Sequence, residues 1–63
     1  MNVSEIFEKK QRGDYRDAAL MLKKMPDDIR HALNNPKSKN HQIVIQALEK
    51  IIKNREAIIN ESL

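Results

Sequence analysis

The clearest pattern of apolar and polar positions lies in the last third of the chain. From residue 41 to 60 the apolar positions recur every three or four residues and cover roughly 160° of a helix surface, at the helical rotation of ~100° per residue. This spacing predicts an amphipathic helix of ~20 residues and ~30 Å. The apolar positions are Val44, Ile45, Ala47, Leu48, Ile51, Ile52, Ile58 and Ile59.

Shorter segments with the same periodicity precede this helix, and the pattern breaks at Gly13 and Pro26. Strand signals are poor, since the chain has one Tyr, one Phe and little alternation. The sequence therefore predicts an all-α fold, a small helical bundle in which two or three short helices pack on one long C-terminal helix. This single small domain spans residues 1–63, with short helices at about 3–11, 15–25 and 27–34, a loop at 34–40 and the long helix at about 41–60.

Residues with capping preferences mark the helix ends. Asn2 and Glu5 have the spacing of a capping box, with Ser4 as a rival cap. Gly13 adopts positive φ easily, so we expect it to end the first helix, and we expect Asp14 to cap the second. Proline at 26, followed by two aspartates, is typical of the start of a third helix.

The tripeptide RGD at residues 12–14 could be an adhesion ligand, part of a helical repeat, or a turn between helices. We interpret it as a turn, because adhesion tripeptides act on extracellular proteins and this chain shows no sign of export. The segment GDYRDAALMLKKMP also resembles the second-helix region of a tetratricopeptide repeat. The proline comes several residues early and no second copy follows at a period of ~34 residues, so no family is assigned. The matching residues are Gly13, Tyr15, Ala18 and Pro26.

The apolar stripe of the long helix is wider than one neighbouring helix can cover. A 63-residue chain has marginal stability, and the absence of cysteine excludes disulfides. We therefore expect dimerisation through this helix, giving a homodimer. The expected apolar core consists of Ile6, Phe7, Tyr15, Ala18, Ala19, Leu22, Ile29, Leu33, Val44, Leu48, Ile51, Ile52, Ile58 and Ile59.

Arg55 is the one charged residue at the centre of this stripe. Its aliphatic stem could lie on the apolar surface while the guanidinium reaches solvent at an edge. The alternative is an interfacial ion pair with a carboxylate of a neighbouring chain or a binding partner.

Composition narrows the class of protein. The longest apolar run is five residues, far short of the ~20 of a membrane span. We expect that the first ten residues are not a signal peptide, because they contain charges and no apolar core. The long helix has acids mixed into its polar side, which argues against a membrane surface as partner. We expect a cytoplasmic protein, and the 22 Ile, Lys and Asn residues are a composition associated with low-GC bacteria and their phages.

No pattern indicates catalysis, a metal or a cofactor. His31 and His41 lie on different predicted elements, and neither has a second ligand at metal-binding spacing. One glycine cannot form a phosphate-binding loop. We therefore expect a protein that is not an enzyme, with no cofactor and no metal.

The remaining hypothesis is a small protein-interaction module, a regulator, adaptor or inhibitor that binds another protein through its amphipathic helix. The candidate contact residues are Ile51, Arg55, Ile58, Lys37 and Lys39. The alternative is a dimeric, helix-turn-helix-like regulator that binds nucleic acid through residues 17–33, although Asp27 and Asp28 would oppose phosphate. Its candidate residues are Lys23, Lys24, Arg30 and His31.

Overall fold

Helices make up the regular structure of this protein. The computed structural model describes the backbone of residues 1–62 and the side chains of residues 1–59. No strand occurs within this part of the chain, so the predicted all-α class is confirmed. The helices are α1 (Val3–Lys9), α2 (Asp14–Leu22), α3 (Pro26–Asn34) and α4 (His41–Ser62).

The capping box at the start of α1 is confirmed. The side chain of Asn2 accepts a hydrogen bond of 2.8 Å from the Glu5 N–H, and the Glu5 carboxylate accepts one of 3.5 Å from the Asn2 N–H. The helix ends at Lys9, two residues before its predicted end, because Lys10 is extended and its N–H donates back to the carbonyl of Ile6.

The turn between α1 and α2 differs from the prediction at two residues. Gly13 has a φ of −84°, so the expected positive φ is wrong, and this glycine is the N-cap of α2. Asp14 was expected to be that cap and is instead the first helical residue. Its carboxylate reaches back and accepts a hydrogen bond of 2.8 Å from the Gln11 N–H. Since α1 stops early at Lys9, four residues (10–13) are available to turn the chain without a left-handed residue.

Within the part of the chain that the structure describes, the residue with left-handed backbone is Lys23, with a φ of 56°. It ends α2 at Leu22, three residues before the predicted end, and the N–H of Lys24 donates to the carbonyl of Ala19 over 2.9 Å. A residue in this conformation after the last helical turn satisfies carbonyls that the helix leaves without partners. Lysine gives no sequence signal for it.

Pro26 starts α3 as its first residue, and Met25 before it is extended, as the residue before a proline tends to be. Asp28 lies in the first turn and accepts a hydrogen bond of 3.3 Å from the Met25 N–H. The start of α4, after the loop, is held against α3, because the Nδ1–H of His41 donates to the carbonyl of Ala32 over 2.8 Å. This bond fixes the direction in which α4 begins.

All three short helices contact α4, and α2 also contacts α3. The molecule measures 39 × 22 × 16 Å, the long dimension fitting a 22-residue helix of ~33 Å. The core contains one residue from α1, two from α2 and three from α3, packed against the inner face of α4. Its members are Ile6, Ala18, Ala19, Ile29, Ala32, Leu33, Val44, Ile45, Ala47, Leu48 and Ile52.

Three residues expected in the core lie on the surface. Phe7 is 41% exposed, Ile58 57% and Ile59 52%. The short helices cover α4 only as far as about Arg55, because α1 ends at Lys9 and contacts α4 there. Periodicity identified the correct helix face but not how much of its length the neighbouring helices cover.

Candidate protein-interaction groove

An ion pair with little solvent exposure joins the start of α2 to the last third of α4. Arg55 Nη1 lies 2.8 Å from Asp14 Oδ1, and the two side chains are 24% and 4% exposed. Arg55 Nη2 also donates to the carbonyl of Lys9 over 2.9 Å. The arginine thus holds α1 and α2 against α4 within one chain, an arrangement that neither of the two sequence-based alternatives included.

This contact also places Asp14 of the RGD tripeptide in the interior, with 3% of its surface exposed. An adhesion ligand needs an accessible carboxylate. The tripeptide is therefore part of the interhelical turn, as interpreted from the sequence.

A shallow apolar groove runs between α2 and α4 beyond this ion pair. Met21, Lys50, Ile51 and Asn54 line a cleft of about 290 Å³. Since Asp14 lies beside Arg55 and Met21 lies beside Ile51, α2 runs antiparallel to α4 along this edge. We call the cleft and its rim the α2/α4 groove. It is defined by the four lining residues together with Asp17, one turn before Met21 on α2, and Ile58, one turn after Asn54 on α4.

The groove keeps large apolar side chains in contact with solvent. Met21 is 49% exposed and Ile58 57%. On α4, Ile51, Asn54 and Ile58 follow each other at i, i+3 and i+7, the spacing of a seam that packs against another helix. Residues on this seam can be covered by a helix laid along the groove.

Two opposite charges border the groove. Asp17 lies on α2 one turn before Met21, and Lys50 lines the α4 wall. Both are exposed, and neither forms an ion pair with any residue that the structure describes. They are therefore available to set the orientation of a bound helix.

The other side of α4 is occupied within the chain. The Glu49 carboxylate binds Lys53 Nζ at 2.8 Å and the Met1 ammonium at 2.9 Å. The hydrogen bond from Lys53, reinforced by the one from the Met1 ammonium, lowers the pKa of Glu49 to about 2. Lys9 adds a pair with Glu56 at 3.2 Å. These contacts hold α1 on the side of α4 away from the groove.

A second, polar cleft of about 370 Å³ lies between α3 and the loop that precedes α4. Lys24 and His31 line it together with Asp28. Arg30 lies outside it, with Nη2 3.7 Å from Asp27 Oδ1. The residues predicted to bind nucleic acid are thus interleaved with acids and do not form one basic surface.

The predicted protein-contact residues fall in three places. Ile51 lines the cleft, Ile58 lies two turns further along the same face of α4, and Arg55 forms the ion pair with Asp14. Lys37 and Lys39 are exposed on the loop before α4, ~20 Å along that helix from the groove. Of the residues that line the cleft, sequence reasoning missed Met21, Lys50 and Asn54. Asn54 could have been identified from the sequence, because it lies between Ile51 and Ile58 on one face of α4. Met21 could not, because its place in the cleft depends on how α2 packs against α4.

Among the side chains of residues 1–59, no group of three or more could hold a metal ion. No helix in the described part of the chain is long and apolar enough to span a membrane. Comparison with protein-family models, with curated proteins and with solved structures gives no match. The site itself is therefore the basis for any functional assignment.

Proposed function

We propose that this chain is a small non-catalytic protein-interaction module whose α2/α4 groove receives a helix of another polypeptide. The observation that carries the proposal is the apolar cleft between Met21 and Ile51, which Ile58 continues along the same face of α4, with Met21 and Ile58 about half exposed. Removing apolar surface from water is favourable by ~25 cal/mol of free energy per Å². Burial of the exposed groove side chains under a second helix would therefore stabilise the complex. The module acts as a regulator, adaptor or inhibitor of a larger protein.

The residues of the groove have different roles in the proposed binding. The apolar side chains supply the contact area, and the rim charges of Asp17 and Lys50 select the orientation of the bound helix. Arg55 acts as a positioning residue, because its bond to Asp14 keeps the two walls of the groove together. The loop residues Lys37 and Lys39 are too far away for the same helix and would contact a more distant part of a large partner.

Affinity capture from cells of the source organism tests the proposal. Met21→Glu and Ile58→Glu each place a charge in the groove, and Met25→Glu is the matched control, since Met25 is 67% exposed outside it. We expect proteins captured by the wild type and by Met25→Glu to be lost with both groove variants. Equal capture by all four proteins would contradict the proposal.

One observation favours nucleic-acid binding as a second candidate function. The junction between α2 and α3 is three residues long and contains the left-handed Lys23, as in a helix-turn-helix, where glycine is common in the turn. Lys23, Lys24, Arg30 and His31 would contact the backbone. Asp27 and Asp28 in the first turn of α3 oppose this, because carboxylates repel phosphate.

Titration with mixed-sequence DNA and RNA separates the two functions. A nucleic-acid binder shows affinity at ~50 mM salt that falls steeply as salt rises. Weaker binding by a Lys23→Ala/Lys24→Ala variant, with no change for Lys50→Ala, would support this second candidate. Absence of binding at low salt would exclude it.

A further inference from the structure

Asn54 is the polar residue in the middle of the groove seam. It follows Ile51 by three residues and precedes Ile58 by four, and its exposed side chain lines the cleft. A side-chain amide both donates and accepts hydrogen bonds. It is therefore one of the few side chains that can satisfy an identical copy of itself across a two-fold axis.

We propose that the helix bound in the α2/α4 groove is α4 of a second copy of this chain, antiparallel to the first, with the two-fold axis at Asn54. The proposal rests on the proposed function, because it uses the same groove, and it names the polypeptide that occupies the groove when no larger protein is bound. In this arrangement the two Asn54 amides bond to each other. Ile51 of one copy packs near Ile58 of its partner, and the partner's Ile51 packs near Ile58 of the first copy.

The charges at the rim fit the same symmetry. Asp17 lies on the α2 wall and Lys50 on the α4 wall, and both are exposed. A two-fold axis between the grooves brings the α4 wall of one copy to the α2 wall of the other. Lys50 of each copy then comes within reach of the opposite Asp17, which gives two reciprocal pairs.

Only two helix faces contribute to the groove, so we expect an interface smaller than the ~800 Å² per partner of a standard one. We therefore expect a reversible dimer with a Kd of roughly 10–100 µM, at the weak end of specific association.

Charge variants at Asn54 test the proposal by sedimentation equilibrium. Asn54→Asp and Asn54→Lys each place like charges across the axis, so each alone should raise the Kd at least ~tenfold, and an equimolar mixture should associate as a heterodimer at least as well as the wild type. Because Asn54 is exposed, both variants should retain the helical circular dichroism of the wild type. Gln46→Glu and Gln46→Lys are matched controls on an exposed position of α4 outside the groove and should dimerise normally.

Three results would overturn the proposal: a wild type that stays monomeric at ~1 mM, single Asn54 variants that dimerise like the wild type, or a mixture that stays monomeric. A monomeric wild type that still loses captured proteins in Met21→Glu and Ile58→Glu would show that the groove binds a different polypeptide. That outcome would leave the proposed function standing without the second copy.

Discussion

Arg55 shows how one residue sets the geometry of this small fold. Its guanidinium bonds the Asp14 carboxylate and the Lys9 carbonyl, so it connects three helices. The helical periodicity placed Arg55 within the apolar stripe of α4. Neither interpretation of that position included an ion pair with Asp14, a buried acid 41 residues earlier in the same chain. A long-range pair of this kind leaves no periodic signal in a single sequence.

We expect Arg55→Ala to lower the free energy of unfolding by about 2–3 kcal/mol, less than for a fully buried pair because Arg55 is 24% exposed. The loss leaves the Asp14 carboxylate in the interior without its cation. Urea denaturation of the Asn54→Asp background, monomeric by expectation, measures this effect without dimerisation. Arg16→Ala on the exposed side of α2 should change stability by less than ~0.5 kcal/mol, and an equal loss in both variants would contradict this role for Arg55.

Lys23 adopts a backbone conformation that favours glycine. Since its φ is 56°, we expect Lys23→Gly to stabilise the fold by about 0.5–1 kcal/mol, measured by thermal or urea unfolding. Lys24→Gly is the matched control, because Lys24 does not have a positive φ and a glycine there only adds flexibility to the unfolded chain. Destabilisation by Lys23→Gly would show that α2 ends differently in solution.

The two turn residues define the limit of sequence reasoning at this scale. Gly13 was expected to have positive φ because it is the only glycine, yet its φ is −84° and a Cβ there would meet no atom within 4 Å. Lys23 takes the left-handed position instead. Propensity describes what a residue tolerates, and the packing of the helices decides where the chain must turn.

The features of the helices that were predicted correctly depend on residues close together in the sequence. The capping box of Asn2 and Glu5, the start of α3 at Pro26 and the long amphipathic α4 follow directly from the sequence. The exposure of Ile58 and Ile59 does not, because it depends on the length of α1 and α2 relative to α4. Ile45 and Ala47 belong to the apolar stripe of α4 but were not expected in the core. Both are buried, because neighbouring helices pack along both edges of the stripe.

The attachment of α1 to α4 should depend on pH through Glu49. Its pKa is lowered to about 2 by Lys53 and by the Met1 ammonium, so its charge stabilises the fold above the ordinary pKa of 4.5. This contribution is lost as the pH falls from 4.5 towards 2. We expect the stability difference between the wild type and Glu49→Gln to be largest at neutral pH and to shrink across that window in urea titrations. A difference that does not change with pH would contradict the ion pairs.

The whole molecule combines a small core with an open apolar groove. Among the side chains that the structure describes, eleven apolar ones are buried, and four of the large fully buried ones are isoleucine or valine on α1, α3 and α4. A chain of this size buries only ~60% of its unfolded surface, so association in the groove would add stability that the monomer lacks. The helical class was predictable from the sequence, whereas the groove was not, because it arises from where α2 lies beside α4.

If two copies associate, thermal stability must depend on concentration. We expect the Tm of the wild type to rise by several degrees between concentrations tenfold below and tenfold above the Kd, because dimerisation stabilises the folded state by mass action. The Tm of Asn54→Asp should stay constant over the same range in differential scanning calorimetry. A Tm of the wild type that is independent of concentration would argue against a folded dimer.

The most direct test of the central claim, that the α2/α4 groove is a protein-binding surface occupied by a second copy, is an NMR dilution series. Amide ¹H–¹⁵N shifts are recorded from well below to well above the expected Kd of roughly 10–100 µM. We expect concentration-dependent shifts at Asp17, Met21, Lys50, Ile51 and Asn54, and unchanged shifts around the polar cleft at Lys24 and His31. Shifts that do not change with concentration, or that change at the polar cleft instead, would contradict the account.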